Sequence, residues 1–193
     1  MGLLRFIKSN IGNILFVLFA GIMFFSADAR TLLIKGLMNT GLYNADAPSK
    51  DLKISKSVPS DLTFRSEDGE LLKLGENKGE VYFINFWATW CPPCRAEMPS
   101  INSLYSKIKN KDKVNFIMVD VDNKIASSVK FMKKHSYQLK VYSSESAIPE
   151  NIFSGTLPTT VIVGPKGDIV FQHSGMADYD NAEMLNFLNA LSR

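Results

Sequence analysis

The sequence is poor in cysteine and histidine, which limits the kinds of site it can build. Its 193 residues include two cysteines, Cys91 and Cys94, and two histidines, His135 and His173. At most one intrachain disulfide can form, so a small domain held together by several disulfides is excluded. A zinc site would need two further ligands, and neither histidine has metal-ligand spacing to the cysteines.

The sequence also lacks a strong charge of either sign. Its formal net charge is +3, and residues 1–50 hold five Lys or Arg against two Asp or Glu, whereas residues 51–193 hold 17 of each. A nucleic-acid binder needs a basic face on its folded domain, so this balance argues against binding to nucleic acid. With 46% hydrophobic and 21% charged residues and no internal repeat, the chain has the composition of one globular domain plus a tail.

An uncharged apolar stretch of 17 residues runs from Ile11 to Ala27, behind Arg5 and Lys8. A membrane-spanning helix needs about 20 residues, with a range of roughly 17 to 25, so the stretch predicts a membrane anchor within residues 1–30. A cleaved signal peptide is the alternative, because Ala27-Asp28-Ala29 has the small-x-small form of a cleavage site. Either interpretation places the rest of the chain outside the cytoplasm, whereas a buried helix of a soluble protein is the less favoured third interpretation.

Residues 31–57 are predicted to connect this anchor to the folded domain. Residues 31–38 are mostly apolar and are expected to lie along the membrane surface as a short helix. Residues 44–60 are rich in Ser, Pro, Asn and Lys, which is typical of a tether. The folded domain is therefore assigned to residues 58–193, with its regular structure beginning near Asp61.

Strand-like and helix-like segments alternate in that domain. Val81–Trp87 is a near-continuous apolar run of strand length, as expected for a central strand buried on both faces. Asp68-Gly69 and Pro165-Lys166-Gly167 predict two β-hairpins, and Asp180 with Glu183 resembles the capping box of a last helix. The predicted strands are residues 62–65, 70–74, 81–87, 114–121, 139–142, 159–163 and 168–173. The order β-β-β-α-β-α-β-β-β-α predicts an α/β fold with a partly parallel sheet covered by helices.

One motif carries clear chemistry, Trp-Ala-Thr-Trp-Cys-Pro-Pro-Cys at residues 87–94. It lies where a buried strand ends and a helix begins. The backbone N–H groups at a helix start stabilise a thiolate, so Cys91 is the expected nucleophile. Pro92 and Pro93 are tolerated there because the first N–H groups of a helix have no intrahelical partner, but they also remove donors that would hold the thiolate. A structural disulfide closing so short a loop would stabilise the fold little, which favours redox chemistry over a structural disulfide or half of a metal site.

The segment Val-Tyr-Phe-Ile-Asn-Phe-Trp-Ala-Thr-Trp-Cys-Pro-Pro-Cys-Arg-Ala-Glu-Met-Pro, residues 81–99, resembles the thioredoxin superfamily. It is most similar to the membrane-anchored, extracytoplasmic thiol-disulfide oxidoreductases of the TlpA and ResA type, and the resemblance covers roughly residues 58–193. It implies a thioredoxin-like fold in which a central mixed β-sheet is flanked by helices, preceded here by an N-terminal transmembrane helix. It also implies that Cys91 attacks a protein disulfide and Cys94 resolves the product, with no cofactor besides their own redox-active disulfide.

Further implications of the resemblance concern partners and direction. The substrates would be disulfides of extracytoplasmic proteins, reduced on the periplasmic or outer side of a cell membrane that the chain crosses through residues 11–27. The electron donor would be a membrane-embedded thiol reductase. Reduction of thiols for haem attachment, in cytochrome c maturation, is the cellular role that the family suggests.

Other positions of the motif are also assigned by resemblance. Leu157-Pro158-Thr159-Thr160 is similar to the loop whose cis-proline packs against the dithiol, which makes Leu157 and Pro158 supporting residues. Pro99 matches the proline that bends the active-site helix. The two tryptophans are interpreted apart from the resemblance, as core and rim aromatics, with Trp90 shielding the dithiol from water.

Two positions bear on proton transfer. Cytosolic thioredoxins carry a buried Asp where this chain has Asn85, so no carboxylate is available at that position. Glu97, three residues after Cys94, matches the active-site Glu of the family and is the expected proton acceptor. Its alternative interpretation is a solvated acid in the first turn of a helix, where the helix dipole favours negative charge.

Two other functions compete with redox catalysis. A copper chaperone could use Cys91 and Cys94 as soft ligands, but copper carriers of similar fold add a His close to the dithiol, and no His occurs before position 135. A peroxiredoxin-type peroxidase would need a Pro-x-x-x-Thr-x-x-Cys setting. Thr89 stands two residues before Cys91 instead of three. Position 85, where the pattern would place Pro when counted from Thr89, is Asn.

Overall fold

The computed structural model describes residues 2–38, 44–45, 57–59, 61–76 and 79–193. The chain begins with two helices, α1 (Gly2–Phe25) and α2 (Ala27–Met38). Ser26 separates them, and its hydroxyl accepts a hydrogen bond from the backbone N–H of Ala29 at 3.2 Å. A side-chain oxygen in this position caps a new helix, which explains why the chain turns here instead of continuing α1.

The two helices bear on the predicted membrane anchor. Residues Asn10–Phe25 and Ala27–Met38 meet at an angle of 98°. Within the described residues no single helix is long and apolar enough to cross a membrane, and the bent pair meets the requirements of length and composition only when its two helices are taken together. A single spanning helix through residues 11–27 therefore stays a prediction.

A seven-stranded mixed sheet forms the centre of the domain. Its strands are β1 (Thr63–Ser66), β2 (Leu71–Lys73), β3 (Val81–Trp87), β4 (Val114–Asp120), β5 (Val141–Ser144), β6 (Thr159–Val163) and β7 (Ile169–Ser174), and its helices are α3 (Pro92–Lys107), α4 (Ile125–Lys134) and α5 (Ala182–Leu191). The strand order is β2-β1-β5-β4-β3-β6-β7. β3, β4 and β5 pair in parallel, and the other pairs are antiparallel. The predicted mixed α/β architecture is confirmed.

Strand β3 is buried along its whole length, as its apolar sequence predicts. Phe83 and Trp87 belong to the core cluster that includes residues of α3 and α5, whereas Tyr82, Ile84 and Phe86 belong to the cluster on the other face. This alternation follows from the two-residue period of a strand. It directs Asn85, the one polar residue of β3, to the same face as Phe83 and Trp87, where α3 lies.

Most predicted elements agree with the structure, and two differ. The short strand expected at residues 139–142 is β5, which begins at Val141. Helix α5 is capped by Asn181, whose side-chain oxygen accepts from the backbone N–H of Met184 at 2.8 Å, and not by Asp180. The Asp180 carboxylate instead accepts from the Ser103 hydroxyl on α3 at 2.7 Å. A tertiary partner, invisible in the local sequence, therefore takes the carboxylate that resembled a cap.

Parts of the predicted tether bond to the domain. Ala45 is buried, and its backbone N–H donates to the carbonyl of Asp178 at 2.8 Å. Ser57 forms an antiparallel bridge with Asp168. The rest of the predicted tether lies largely outside the described residues.

Helix α2 packs on α3 close to the dithiol motif. Thr31 and Met38 of α2 are buried, and Asp28 forms an ion pair with Arg95, the residue that follows Cys94. The guanidinium of Arg95 also lies over the ring of Phe131, 5.5 Å from its centroid. The segment that precedes the domain therefore contacts the helix that carries the active-site motif.

Candidate active site

Cys91 and Cys94 form a disulfide at the start of α3, with their Cα atoms 5.3 Å apart. Cys91 is the N-cap of the helix, and Pro92 and Pro93 occupy its first two positions. Because proline has no N–H, the first backbone donor of α3 is the N–H of Cys94, which points to Sγ of Cys91 at 3.3 Å. The same donor would stabilise a Cys91 thiolate after reduction.

The two sulfurs are covered by protein, and a tryptophan lies beside them at the surface. Cys94 is fully buried, whereas Cys91 retains 3% of its accessible surface. Trp90 is 59% exposed, and its indole N–H donates to Oδ2 of Asp122 at 2.6 Å. Trp87 is a core residue. The structure thus separates the two motif tryptophans into one that packs the core and one that offers an aromatic surface next to the nucleophile.

The second sequence signature, Leu157-Pro158-Thr159-Thr160, is joined to the motif strand by pairing in the sheet. The Leu157–Pro158 peptide bond is cis, as the resemblance implies, and β6 begins directly after it. In the antiparallel pairing of β3 with β6, Thr160 lies opposite Asn85. The Asn85 side-chain amide donates to the Thr160 hydroxyl at 2.9 Å, so the motif strand and the cis-proline segment are joined by a buried hydrogen bond.

Glu97 is completely buried, which excludes the interpretation of it as a solvated helix acid. One carboxylate oxygen accepts from the Asn85 amide at 2.8 Å, and the other accepts from the backbone N–H of Ala177 at 3.3 Å. Burial raises the pKa of Glu97 from 4.5 to about 8, and the two hydrogen bonds oppose that rise. Near neutral pH the group can therefore take up or give up a proton.

Helix geometry relates Glu97 to the dithiol. Residues three apart on an α-helix lie on the same side, and Cys94 and Glu97 are both fully buried. The inward face of α3 therefore carries the inner cysteine and, one turn later, a carboxyl group. Pro99 lies within the same helix, as expected.

Several residues of this site were not predicted from the sequence. Thr160 belongs to the second signature but was not assigned a role, and Asp122 and Ala177 carried no signal. Asp122 contributes a carboxylate that accepts a hydrogen bond from Trp90, and Ala177 contributes a backbone N–H that donates to Glu97. Both lie in loops, and no residue pattern marks these roles. Only the pairing of distant segments brings them to the motif.

The copper-chaperone alternative would need soft ligands beside the cysteines. No group of three or more His, Cys, Asp or Glu side chains suited to a metal ion occurs within the described parts of the chain. His135 caps the end of α4 and His173 lies on β7.

Comparisons with known proteins agree with this geometry. The family model described as Redoxin matches residues 53–188. The thiol-disulfide oxidoreductase ResA of Bacillus cereus is 32% identical over 141 residues, covering 72% of this chain and 80% of the relative, and ResA of Bacillus subtilis is 28% identical over 130 residues, covering 67% and 72%.

Solved structures support the fold. StoA of Bacillus subtilis superposes with a TM-score of 0.54 at 23% identity, covering 68% of this chain and 99% of that one. A thiol:disulfide interchange protein of the thioredoxin family from Chlorobium tepidum gives a TM-score of 0.53 at 22% identity, covering 72% and 98%. The chain therefore belongs to the Redoxin family, within which it is a ResA-like thiol-disulfide oxidoreductase of the thioredoxin superfamily.

Proposed function

We propose that this protein reduces disulfides in extracytoplasmic partner proteins, with Cys91 as nucleophile, Cys94 as resolving thiol and Glu97 as proton acceptor. The observation that carries the proposal is the arrangement along α3. The first backbone N–H of the helix points to Sγ of Cys91, and a buried carboxyl with a pKa raised to about 8 lies one turn after Cys94. The outer thiol is thus equipped to attack and the inner thiol to lose a proton.

The reaction moves two electrons from the dithiol to the partner. The Cys91 thiolate attacks one sulfur of the partner disulfide, and the other partner sulfur leaves as a thiolate. Cys94 then gives its proton to the Glu97 carboxylate and attacks Sγ of Cys91. The Cys91–Cys94 disulfide forms, the second partner thiolate leaves, and the partner holds two reduced sulfurs.

Pro92 and Pro93 support the reducing direction. An oxidoreductase is a strong oxidant when its thiolate form is well stabilised. Two prolines remove two N–H donors from the helix start, so the reduced form of this dithiol gains less stabilisation than it would from a full set. The resemblance to the TlpA and ResA type also favours a reductase. Continued turnover requires that the Cys91–Cys94 disulfide be reduced again. The proposed electron donor is a membrane-embedded thiol reductase.

The proposed location rests on the amino terminus. Helix α1 exposes a run of large apolar side chains, including Phe16, Val17, Phe24 and Phe25, which a bilayer would cover. The proposal is a cell-membrane protein anchored through residues 11–27, with the dithiol on the periplasmic or outer side. Cytochrome c maturation, in which haem attachment needs reduced thiols, is the proposed process.

Trapping tests both the substrate class and the direction. Cys94→Ser leaves an attacking thiol that cannot be released, so we expect it to accumulate mixed disulfides with extracytoplasmic proteins, whereas the matched Cys91→Ser variant accumulates none. The trapped partners should be more oxidised in cells that lack the protein. Partners that become more reduced in such cells would identify an oxidase, and equal trapping by the two variants would contradict the mechanism.

A further inference from the structure

Helix α2 packs against α3 with one side, here called the docked face. The residues of this face recur every three or four positions, which is the spacing of one side of a helix. They are Asp28, Thr31, Lys35 and Met38. Thr31 and Met38 are buried, and the carboxylate of Asp28 accepts a hydrogen bond from the guanidinium of Arg95. The docked face is therefore occupied by the domain itself.

Arg95 holds this contact from the side of the domain. It directly follows Cys94, and its guanidinium both pairs with Asp28 and lies over the ring of Phe131, 5.5 Å from the centroid. The centroid of the Phe131 ring lies 5.4 Å from that of Trp87. Because Trp87 and Cys94 belong to the dithiol motif, consecutive contacts join the docked face of α2 to the active site.

The other side of α2, here called the open face, is apolar. Its residues also recur at helical spacing, and they line one groove together with Met23 of α1. They are Ala29, Leu32, Leu33, Gly36 and Leu37. Leu32 is 73% exposed and Leu33 is 51% exposed. At 3.6 residues per turn the two faces of α2 point about 150° apart, so the helix cannot bury both of them against the domain.

The open face continues the apolar surface of α1. Phe24 and Phe25 are exposed at the end of α1, and Met23 lines the groove beside the open face. The axes of the two helices meet at 98°. A helix that enters a bilayer along its normal and a helix that lies flat in the bilayer surface meet at about 90°. The bend at Ser26 therefore gives α2 the orientation of an interfacial helix when α1 enters a membrane.

The surroundings of α2 are basic. Arg30 of α2 is exposed, and so are Lys133 and Lys134 at the end of α4. Asp28, the carboxylate of α2, is already paired with Arg95. An apolar helix face flanked by cations suits the surface of a bilayer that contains anionic lipids. It suits a second copy of the chain less well, because two copies meeting here would bring the same cations together.

We propose that α2 is an interfacial helix that docks the thioredoxin-like domain onto the lipid bilayer. Its open face lies among the lipids, and its docked face holds α3 through Asp28, Arg95 and Met38. The dithiol is thereby kept at a fixed height and orientation above the membrane instead of moving on a tether. This inference rests on the proposed anchoring through residues 11–27 and adds a second, separate contact with lipid. A fixed position suits exchange with an electron donor embedded in the same membrane.

The first test measures whether the open face contacts lipid. The full chain carrying Leu33→Trp is reconstituted into vesicles of phosphatidylcholine and phosphatidylglycerol, with plain acyl chains or with brominated chains that quench tryptophan on contact. The signal of the unsubstituted chain, from Trp87 and Trp90, is subtracted. We expect the added tryptophan to lose most of its fluorescence. Bromine close to the headgroup should quench it more than bromine at the chain end, because an interfacial helix enters the bilayer by only about 5–10 Å.

Leu71→Trp is the matched control for this measurement. Leu71 is a second exposed leucine, 54% exposed against 51% for Leu33, but it lies on β2 at the edge of the sheet. Both substitutions place a tryptophan at a position of similar solvent exposure, so they differ in location alone. The fluorescence added by Leu71→Trp should not respond to brominated lipids.

The second test measures whether the domain is docked or tethered. The isotope-labelled full chain is placed in nanodiscs that contain lipids with a paramagnetic headgroup, which broadens nearby amide signals. We expect stronger broadening around Lys134 than around Leu71, because Lys134 lines a cavity together with α2 whereas β2 is an edge strand. Asp28→Asn combined with Met38→Ser should make the broadening even across the domain. Glu145→Gln, which removes the carboxylate of an ion pair elsewhere on the surface, should preserve the difference.

The outcomes separate this inference from the function on which it rests. An unquenched Leu33→Trp chain that stays with the vesicles would overturn the lipid contact of α2 and leave the anchor standing, and a dimer under those conditions would assign the open face to a second copy. Even broadening across the wild-type domain would show a tether and overturn the docking. A soluble chain beginning at Arg30 would lack Asp28 and refute the anchor as well. None of these results changes the roles of Cys91 and Cys94.

Discussion

The indole N–H of Trp90 donates to the carboxylate of Asp122 at 2.6 Å, which ties the residue before the nucleophile to the loop after β4. Trp87 and Asp120 are paired neighbours at the ends of β3 and β4, so both loops leave the same edge of the sheet. The carboxyl ends of parallel strands are the usual place for a site in such folds. An exposed aromatic ring is thereby held in one orientation beside a nearly buried sulfur.

We expect Trp90 to contact protein substrates. Trp90→Ala should lower kcat/KM for a protein disulfide by about tenfold, the scale for loss of an exposed aromatic anchor, because the partner loses its contact surface. The rate with a small disulfide such as oxidised glutathione should change by less than about threefold. Asp122→Ala, which frees the ring without removing it, should have an intermediate effect, and an equal loss for both substrates would contradict a contact role.

The order of the two thiols can be tested by alkylation of the reduced protein. Cys91 receives the first N–H of α3 and retains some exposure, whereas Cys94 is fully buried. Iodoacetamide at pH 7 should therefore modify Cys91 faster than Cys94 by about tenfold or more, because a stabilised thiolate reacts faster. Cys94→Ser and Cys91→Ser, each with one thiol, give the two rates separately. A faster reaction at Cys94 would reverse the assignment.

Loss of the Glu97 carboxyl should slow the second chemical step alone. Glu97→Gln is expected to slow release of the mixed disulfide by about tenfold or more, the usual scale for a general acid–base group, and to preserve attack by Cys91. In the wild type, release should accelerate as pH rises to about 8 and then level, because the carboxylate form is the acceptor. Stopped-flow measurement of both steps across pH 6 to 9 checks this. Equal release rates for the wild type and Glu97→Gln would contradict a role of Glu97 in proton transfer.

Protein stability should depend on pH through the same group. The folded-state pKa of about 8 exceeds the ordinary value of 4.5, so between these values the folded protein binds a proton that the unfolded chain has lost. Stability from this group is full below about pH 4.5 and declines as pH rises toward 8, by up to about 1.4 kcal/mol per pH unit.

Denaturant unfolding of the oxidised protein at several pH values measures this slope. Glu97→Gln should flatten the dependence between pH 5 and 8. Glu183→Gln, at an exposed position in the first turn of α5, is the matched control and should leave the slope as it is. Parallel curves for the wild type and Glu97→Gln would show that Glu97 titrates normally.

The amino terminus should hold the protein in the membrane. We expect the full chain to stay with membranes after an alkaline wash, because the large apolar side chains of α1 are exposed in the part of the chain that the structure describes. A chain without residues 1–38 should be soluble. An impermeant maleimide should label the reduced dithiol in intact cells. Recovery of a soluble chain beginning at Arg30 would instead establish a cleaved signal peptide.

Local sequence determined much of this protein. The apolar run at residues 81–87 predicted a buried central strand, and the turn signals at Asp68-Gly69 and Pro165-Lys166-Gly167 predicted both hairpins, because these features depend on side-chain periodicity and on backbone conformations that glycine permits. The Cys-Pro-Pro-Cys motif between a strand and a helix predicted the nucleophile, because the N–H groups that stabilise a thiolate at a helix start also belong to the local chain.

Only the tertiary structure decided the setting of Glu97. The sequence left it between a proton acceptor and a solvated helix acid, since three-residue spacing places it on the side of Cys94 without saying whether that side is covered. Glu97 is fully buried, and its hydrogen bonds come from Asn85 of β3 and from the backbone N–H of Ala177. The two hydrogen-bond donors lie 12 and 80 residues away in the chain. No local pattern encodes them or the burial that raises the pKa of Glu97.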